Sequence, residues 1–133
     1  MSQFNHIATT LNEEKKVVFT AQSCKNFHLR MLICKHAFQM GVVPVNPFMV
    51  FGYYLYELVD RNHVRNGNNN LIKRCDELRV YGEISDGVLA EILMCKEIGM
   101  PIRYFDISGL PSKVLEINKE ECKFEDGLKD YKI

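Results

Sequence analysis

One carboxylate, Glu91, is the sole polar side chain in the run Val88-Leu89-Ala90-Glu91-Ile92-Leu93-Met94-Cys95. The length and composition of this run predict a helix that ends near Gly99, with Pro101 just beyond. At about 100° per residue, Asp86, Lys96 and Glu97 gather on one side of that helix. Glu91 projects to the other side, among Val88, Cys95 and Ile98. A carboxylate on an apolar helix face costs on the order of several kcal/mol unless something pairs with it. Such a group is either held by a structural partner or retained for chemistry. From residue type alone, the structural role is the commoner of the two.

Other groups with chemical potential are more scattered. Cys24, Cys34, Cys75, Cys95 and Cys122 are widely spaced, with no C-x-x-C pair, so a zinc site is not expected. Cys34, Cys75 and Cys95 read as small core residues of a reducing compartment, whereas Cys24 falls in a loop directly after a strand. The window from Asp60 to Asn70 carries two arginines, a histidine and five asparagines. It reads as a surface loop entering a short helix, Asn70 to Cys75, and its polar side chains, Arg65 among them, could form a rim for sugar hydroxyls or phosphate. Phe48, Phe51, Tyr53, Tyr54 and Tyr56 make residues 48–59 dense in aromatics. They are core formers first, and secondly a surface on which a base could stack.

The elements that must position these groups alternate along the chain. Lys16 to Ala21 is a β-branched run fit for a buried strand, followed by the loop Gln22–Asn26 and a helix from about Asn26 to Met40 that Gly41 stops. Val42 to Val45 makes a second strand, with Pro44 limiting its ladder, and Asn46-Pro47 breaks the chain. Glu77 to Gly82, the Glu91 helix and Pro101 to Phe105 complete the pattern. Four strands separated by helices predict an α/β fold, a mostly parallel sheet of four to five strands with helices on both faces. Ligands in such sheets bind at the carboxyl ends of the strands. Here those ends are Gln22–Asn26, which includes Ser23, then Asn46–Phe48 and Gly82–Gly87. Residues 1–15 read as a polar extension, 16–109 as the α/β domain, and 110–133 as a tail that could add an edge element or a subunit contact.

Composition bounds the partners. The chain has 133 residues, which suits one domain, and 17 basic side chains balance 17 acidic ones. That balance gives no support to a nucleic acid polymer or a polybasic membrane surface as partner. No signal peptide is visible at the N-terminus, and no apolar run approaches the length needed to cross a bilayer. A cytoplasmic protein is the expectation.

Two stretches resemble the nucleoside 2-deoxyribosyltransferase superfamily. The first is Arg65-x-Gly67 followed by Leu71-Ile72-x-Arg74-Cys75-Asp76-Glu77-Leu78-x-Val80-x-Gly82. The second is Ile84-Ser85-x-Gly87-x-x-x-Glu91-Ile92 with Gly99-x-Pro101-Ile102-Arg103-Tyr104-Phe105 after it. The similarity covers residues 16–106 and is nearest to the small bacterial and phage branch. It implies a flavodoxin-like three-layer sandwich and a retaining reaction at the anomeric carbon of a nucleoside or nucleoside 5′-monophosphate. Glu91 maps onto the nucleophile, which forms a glycosyl ester and passes the sugar to water or another base. Ser85, with the amides of Asp86 and Gly87, maps onto the position that binds phosphate in nucleotide-hydrolysing relatives. An ordinary N-cap is its alternative role.

The resemblance also implies a homodimer or higher homo-oligomer, and neither a metal nor an organic cofactor. Two departures stand out. Ala21-Gln22-Ser23-Cys24 replaces a Gly-Pro or Gly-Ser pair after the first strand, and Asn68 stands where relatives place an acidic residue. The second departure favours hydrolysis over base exchange. It also keeps open a non-catalytic nucleotide-binding module on the same fold. The substrate-binding set is then Ser23, Asn46, Phe48, Arg65, Asn68, Ser85, Asp86 and Gly87. Tyr53, Tyr54, His63 and Asp86 are the candidates for protonating the leaving base.

Overall fold

The β-branched run after the polar N-terminal segment forms Val17–Gln22 (β1), with every residue from Val18 onward buried. The computed structural model describes residues 4–52, 55–128, 131 and 133. Val43–Val45 (β2), Glu77–Tyr81 (β3), Ile102–Asp106 (β4) and Leu115–Ile117 (β5) complete one sheet in the order β2-β1-β3-β4-β5. The first four strands run parallel, and β5 closes the edge antiparallel to β4. Pro44 sits on the edge strand β2, where its missing N–H costs least.

Helices cover both faces. Arg30–Gln39 (α1) packs Ile33 with Tyr81 and Phe105, and Ala37 with Val18 and Val42. On the opposite face, Arg61–Lys73 (α4) and Asp86–Glu97 (α5) bury Ile72, Val88, Leu89, Ile92 and Cys95 against Phe19, Ala21, Leu78 and Val80. Two one-turn helices, Pro47–Val50 (α2) and Leu55–Leu58 (α3), lead from β2 to α4. This is a flavodoxin-like α/β sandwich. Alternating residues of β1 and β3 feed the two layers, as the period of two in a pleated strand requires.

Three local readings need correction. Ser23 caps a 3-10 turn, Cys24–Leu29, so α1 starts at Arg30 rather than near Asn26. Asp60 to Asn70 is not a loop: Asp60 caps α4, accepting a 2.8 Å hydrogen bond from Asn62 N, and the helix runs unbroken to Lys73. Its apolar signal is sparse, with only Val64 and Ile72 fully buried, and the intervening asparagines mask it. Ile98 is a C-cap residue and exposed, so it does not share the buried surroundings of Glu91.

Two glycines matter for the site. Gly99 ends α5 at φ +75 and leaves the helix for β4, as a left-handed C-terminal residue does. Gly82, at φ +87, lets the chain leave β3 beside Ile107. A Cβ there would stand 2.9 Å from the Ile107 side chain.

Candidate functional site

Ser85 fixes the start of α5. Its backbone is extended and its Oγ accepts a 3.3 Å hydrogen bond from Val88 N. From there the helix carries Glu91 between Val88 and Cys95, one turn to either side and both buried. The Glu91 residue is partly exposed. Burial pushes its carboxyl up to about 8. Among the described residues, none donates a hydrogen bond to it or forms an ion pair with it. The effect reaches a neighbour: burial first, and Glu91 second, push the Cys95 thiol up to about 11.

A second unsatisfied acceptor lies in the same helical layer. Asn68 falls between the buried Val64 and Ile72 on α4, and its Oδ1 is buried without a hydrogen-bond partner among the described residues. Buried acceptors of this kind are uncommon in folded proteins, because each forfeits its hydration. The layer formed by α4 and α5 therefore holds two oxygen acceptors, Glu91 and Asn68, that the described protein groups leave without donors.

The other expected binding residues are occupied by the protein itself. Asn46, only 2% exposed, caps α2 by accepting from Phe48 N at 3.0 Å. Its Nδ2 donates to Thr20 Oγ1 at 3.0 Å and to Gln22 Oε1 at 2.8 Å. Those bonds tie the ends of β1 and β2 together, and Gln22 in turn donates to Asn26 O in the turn after β1. Phe48 packs edge-on against Phe27, with ring centroids 5.2 Å apart. Arg65 is exposed and donates to Asn62 Oδ1 on its own helix. Asp86 is exposed and accepts from Gly87 N, and His63 is exposed. Tyr53 and Tyr54 lie outside the described residues.

A cleft of about 560 Å³ opens where strand ends predict one, lined by Lys25, Gly82, Asp106, Ile107, Lys123 and Glu125 among others. Glu91 is not in its lining. Asp106 is held below the usual carboxylate range by the backbone and side-chain hydrogen bonds of Ser108, and so stays ionised there. The chain segment after β5 forms one wall. Ile84 N donates to Lys123 O and Glu125 N donates to Ile84 O, both at 2.9 Å, which makes a short parallel bridge. That segment delivers Glu125 to Ser23, whose Oγ donates to the carboxylate at 2.5 Å. Sequence reading missed Glu125, Lys123 and Asp106. No local signal could have found Glu125, since the contact joins residues 102 positions apart.

A family model described as Domain of unknown function (DUF7768) matches residues 18–105, from β1 into β4. The chain belongs to that family. None of the curated proteins and none of the solved structures matches it. In this DUF7768 chain, Ser23, Asn68, Ser85 and Glu91 all fall within the matched span, whereas Lys123 and Glu125 lie beyond it.

Proposed function

We propose that the protein cleaves the N-glycosidic bond of a nucleoside or nucleoside 5′-monophosphate through a covalent glycosyl-Glu91 intermediate, with water rather than a second base as acceptor. The observation that carries this reading is the desolvated Glu91 carboxyl, which no described group satisfies. The unsatisfied Asn68 Oδ1 in the same helical layer supports it as a further acceptor that a ligand's hydroxyl could satisfy. In the first step a Glu91 oxygen bonds to C1′ as the C1′–N bond breaks, its electron pair leaving with the base, which takes up a proton. In the second, water attacks C1′, the ester bond breaks, the water's proton passes to solvent to replace the one the base took up, and Glu91 is released as carboxylate with the free sugar. A desolvated carboxylate is a stronger nucleophile, and its charge stabilises an oxocarbenium-like transition state.

One observation favours a second reading, retention of a nucleotide without turnover. Glu91 is mostly protonated at neutral pH and stands outside the cleft. A homo-oligomer fits either reading, since Met49, Val50, Leu58 and Val59 expose apolar surface around α2 and α3. A cytoplasmic location fits the free cysteines. Among the described residues no helix is long and apolar enough to cross a membrane.

The test is base release, followed by chromatography, from a panel of nucleosides and 5′-monophosphates by the protein and its Glu91→Gln variant. Release should fall at least a hundred-fold in the variant, on the order expected for loss of a nucleophile. Because the nucleophile must be ionised, the rate should rise with pH and level off above about 8. A rate that falls above that pH would instead assign Glu91 as the general acid. Tight binding of an unchanged ligand by both proteins would establish the non-catalytic reading.

A further inference from the structure

Ser23 is 1% exposed, and its hydroxyl is spent on a carboxylate from the far end of the chain. Lys25 Nζ lies 3.8 Å from the other Glu125 oxygen. Hydroxyl and ammonium together form a corner at the carboxyl end of β1 that holds an anion, and here the anion is part of the protein. The segment that brings it is residues 118–128. Apart from Glu125, among the described residues it is held by the two backbone hydrogen bonds at Ile84 and by Cys122, Phe124 and Leu128, partly buried against the core. Glu121, Lys123 and Glu125 form its wall of the cleft, so moving the segment widens that cleft.

We propose that the Ser23–Lys25 corner is an anion subsite, and that Glu125 is its tethered occupant, so that an incoming phosphate or carboxylate group must displace the segment to bind. A phosphate brings more charge and more acceptor oxygens than the carboxylate it replaces, and forms stronger charge-assisted hydrogen bonds with the same donors. Only the ligand that would bring the phosphate, a nucleotide, rests on the function proposed above; the subsite itself stands on the Ser23, Lys25 and Glu125 geometry.

The experiment is calorimetric titration of the full chain and its Glu125→Gln and Glu125→Asp variants. The probes are inorganic phosphate, acetate, deoxyadenosine and deoxyadenosine 5′-monophosphate. Removing the tethered carboxylate, or shortening it below its reach, should tighten phosphate and monophosphate binding about ten-fold, while deoxyadenosine binding stays within about two-fold. Adding Ser23→Ala to Glu125→Gln should abolish that gain. Phosphate added to the unaltered protein should speed hydrogen exchange of the Glu125 amide, which bonds Ile84 O in the closed state. A gain for phosphate alone assigns the corner to phosphate groups, and an equal gain for acetate assigns it to carboxylates as well. Equal anion affinities in all variants that remain folded, with unchanged exchange, would overturn the subsite even if base is released. A phosphate gain without base release or nucleoside binding would sink the glycosidic reading and leave the subsite standing.

Discussion

The two faces of the sheet treat buried polar groups in opposite ways. Under α1, Glu77 and Arg79 are 4% and 2% exposed, and Arg79 Nε donates to Glu77 Oε2 at 2.6 Å. Arg79 also lies over the Phe105 ring, though its Nη1 has no hydrogen-bond partner among the described residues. Beside the pair, His36 Nδ1 and Tyr81 Oη stand 3.0 Å apart. Burial, and then Arg79, lower the His36 pKa, keeping the ring neutral, while burial pushes Tyr81 up to about 12. Charge on that side is met with opposite charge. Under α4 and α5, Glu91 meets none among the described residues, and burial raises its pKa instead. A polar group retained without a partner is the kind a protein keeps for a ligand or a reaction. A paired one specifies packing.

Breaking the paired side should have the largest effect. Glu77→Ala leaves the Arg79 charge buried and uncompensated, so stability should drop by about 3–5 kcal/mol, measured by urea unfolding at pH 7. A loss under 1 kcal/mol would mean that the pair is dispensable and the contrast is false.

The unpaired side should reveal itself through pH. Burial raises Glu91 above its usual 4.5, so the folded state holds the proton more tightly than the unfolded chain does. The stabilisation from this group is complete below about pH 4.5, declines as pH rises, and is gone above about 8. Unfolding free energies across that window should fall by an amount on the order of a few kcal/mol. Glu91→Gln should flatten that part of the profile. An unchanged slope in the variant would show that Glu91 is solvated.

The smallest effect is expected at Asn68. Asn68→Leu removes an acceptor that has no donor, so thermal unfolding should show stability unchanged or raised by up to about 1 kcal/mol. Nucleoside binding should weaken in the same variant. A large destabilisation would mean that Asn68 is satisfied in solution by the protein itself or by water.

How much of this was legible in the sequence varies by element. The strand–turn–helix around Ser85 and Glu91 could be read directly, because a cap, an apolar period and a glycine stop are all local. α4 could not, since its buried residues Val64 and Ile72 are eight apart among asparagines that favour turns. The best available signal was Asp60, a cap ahead of a helix that did not look like one. Ser23 and Asn46 directly follow β1 and β2. Their neighbourhood was not visible, and tertiary packing gave both of them partners.

The alternation of strands and helices, the parallel sheet and the apolar surroundings of Glu91 are written in the local sequence. Each follows from residue preference and periodicity over a few turns of chain. Only the tertiary structure decided that Glu91 would stand away from the strand-end cleft and that Glu125 would fill the corner at Ser23. It also decided that β5 would close the sheet edge. Those outcomes depend on contacts between segments far apart in the chain, whose energies come from shared burial and charge and leave no period to read.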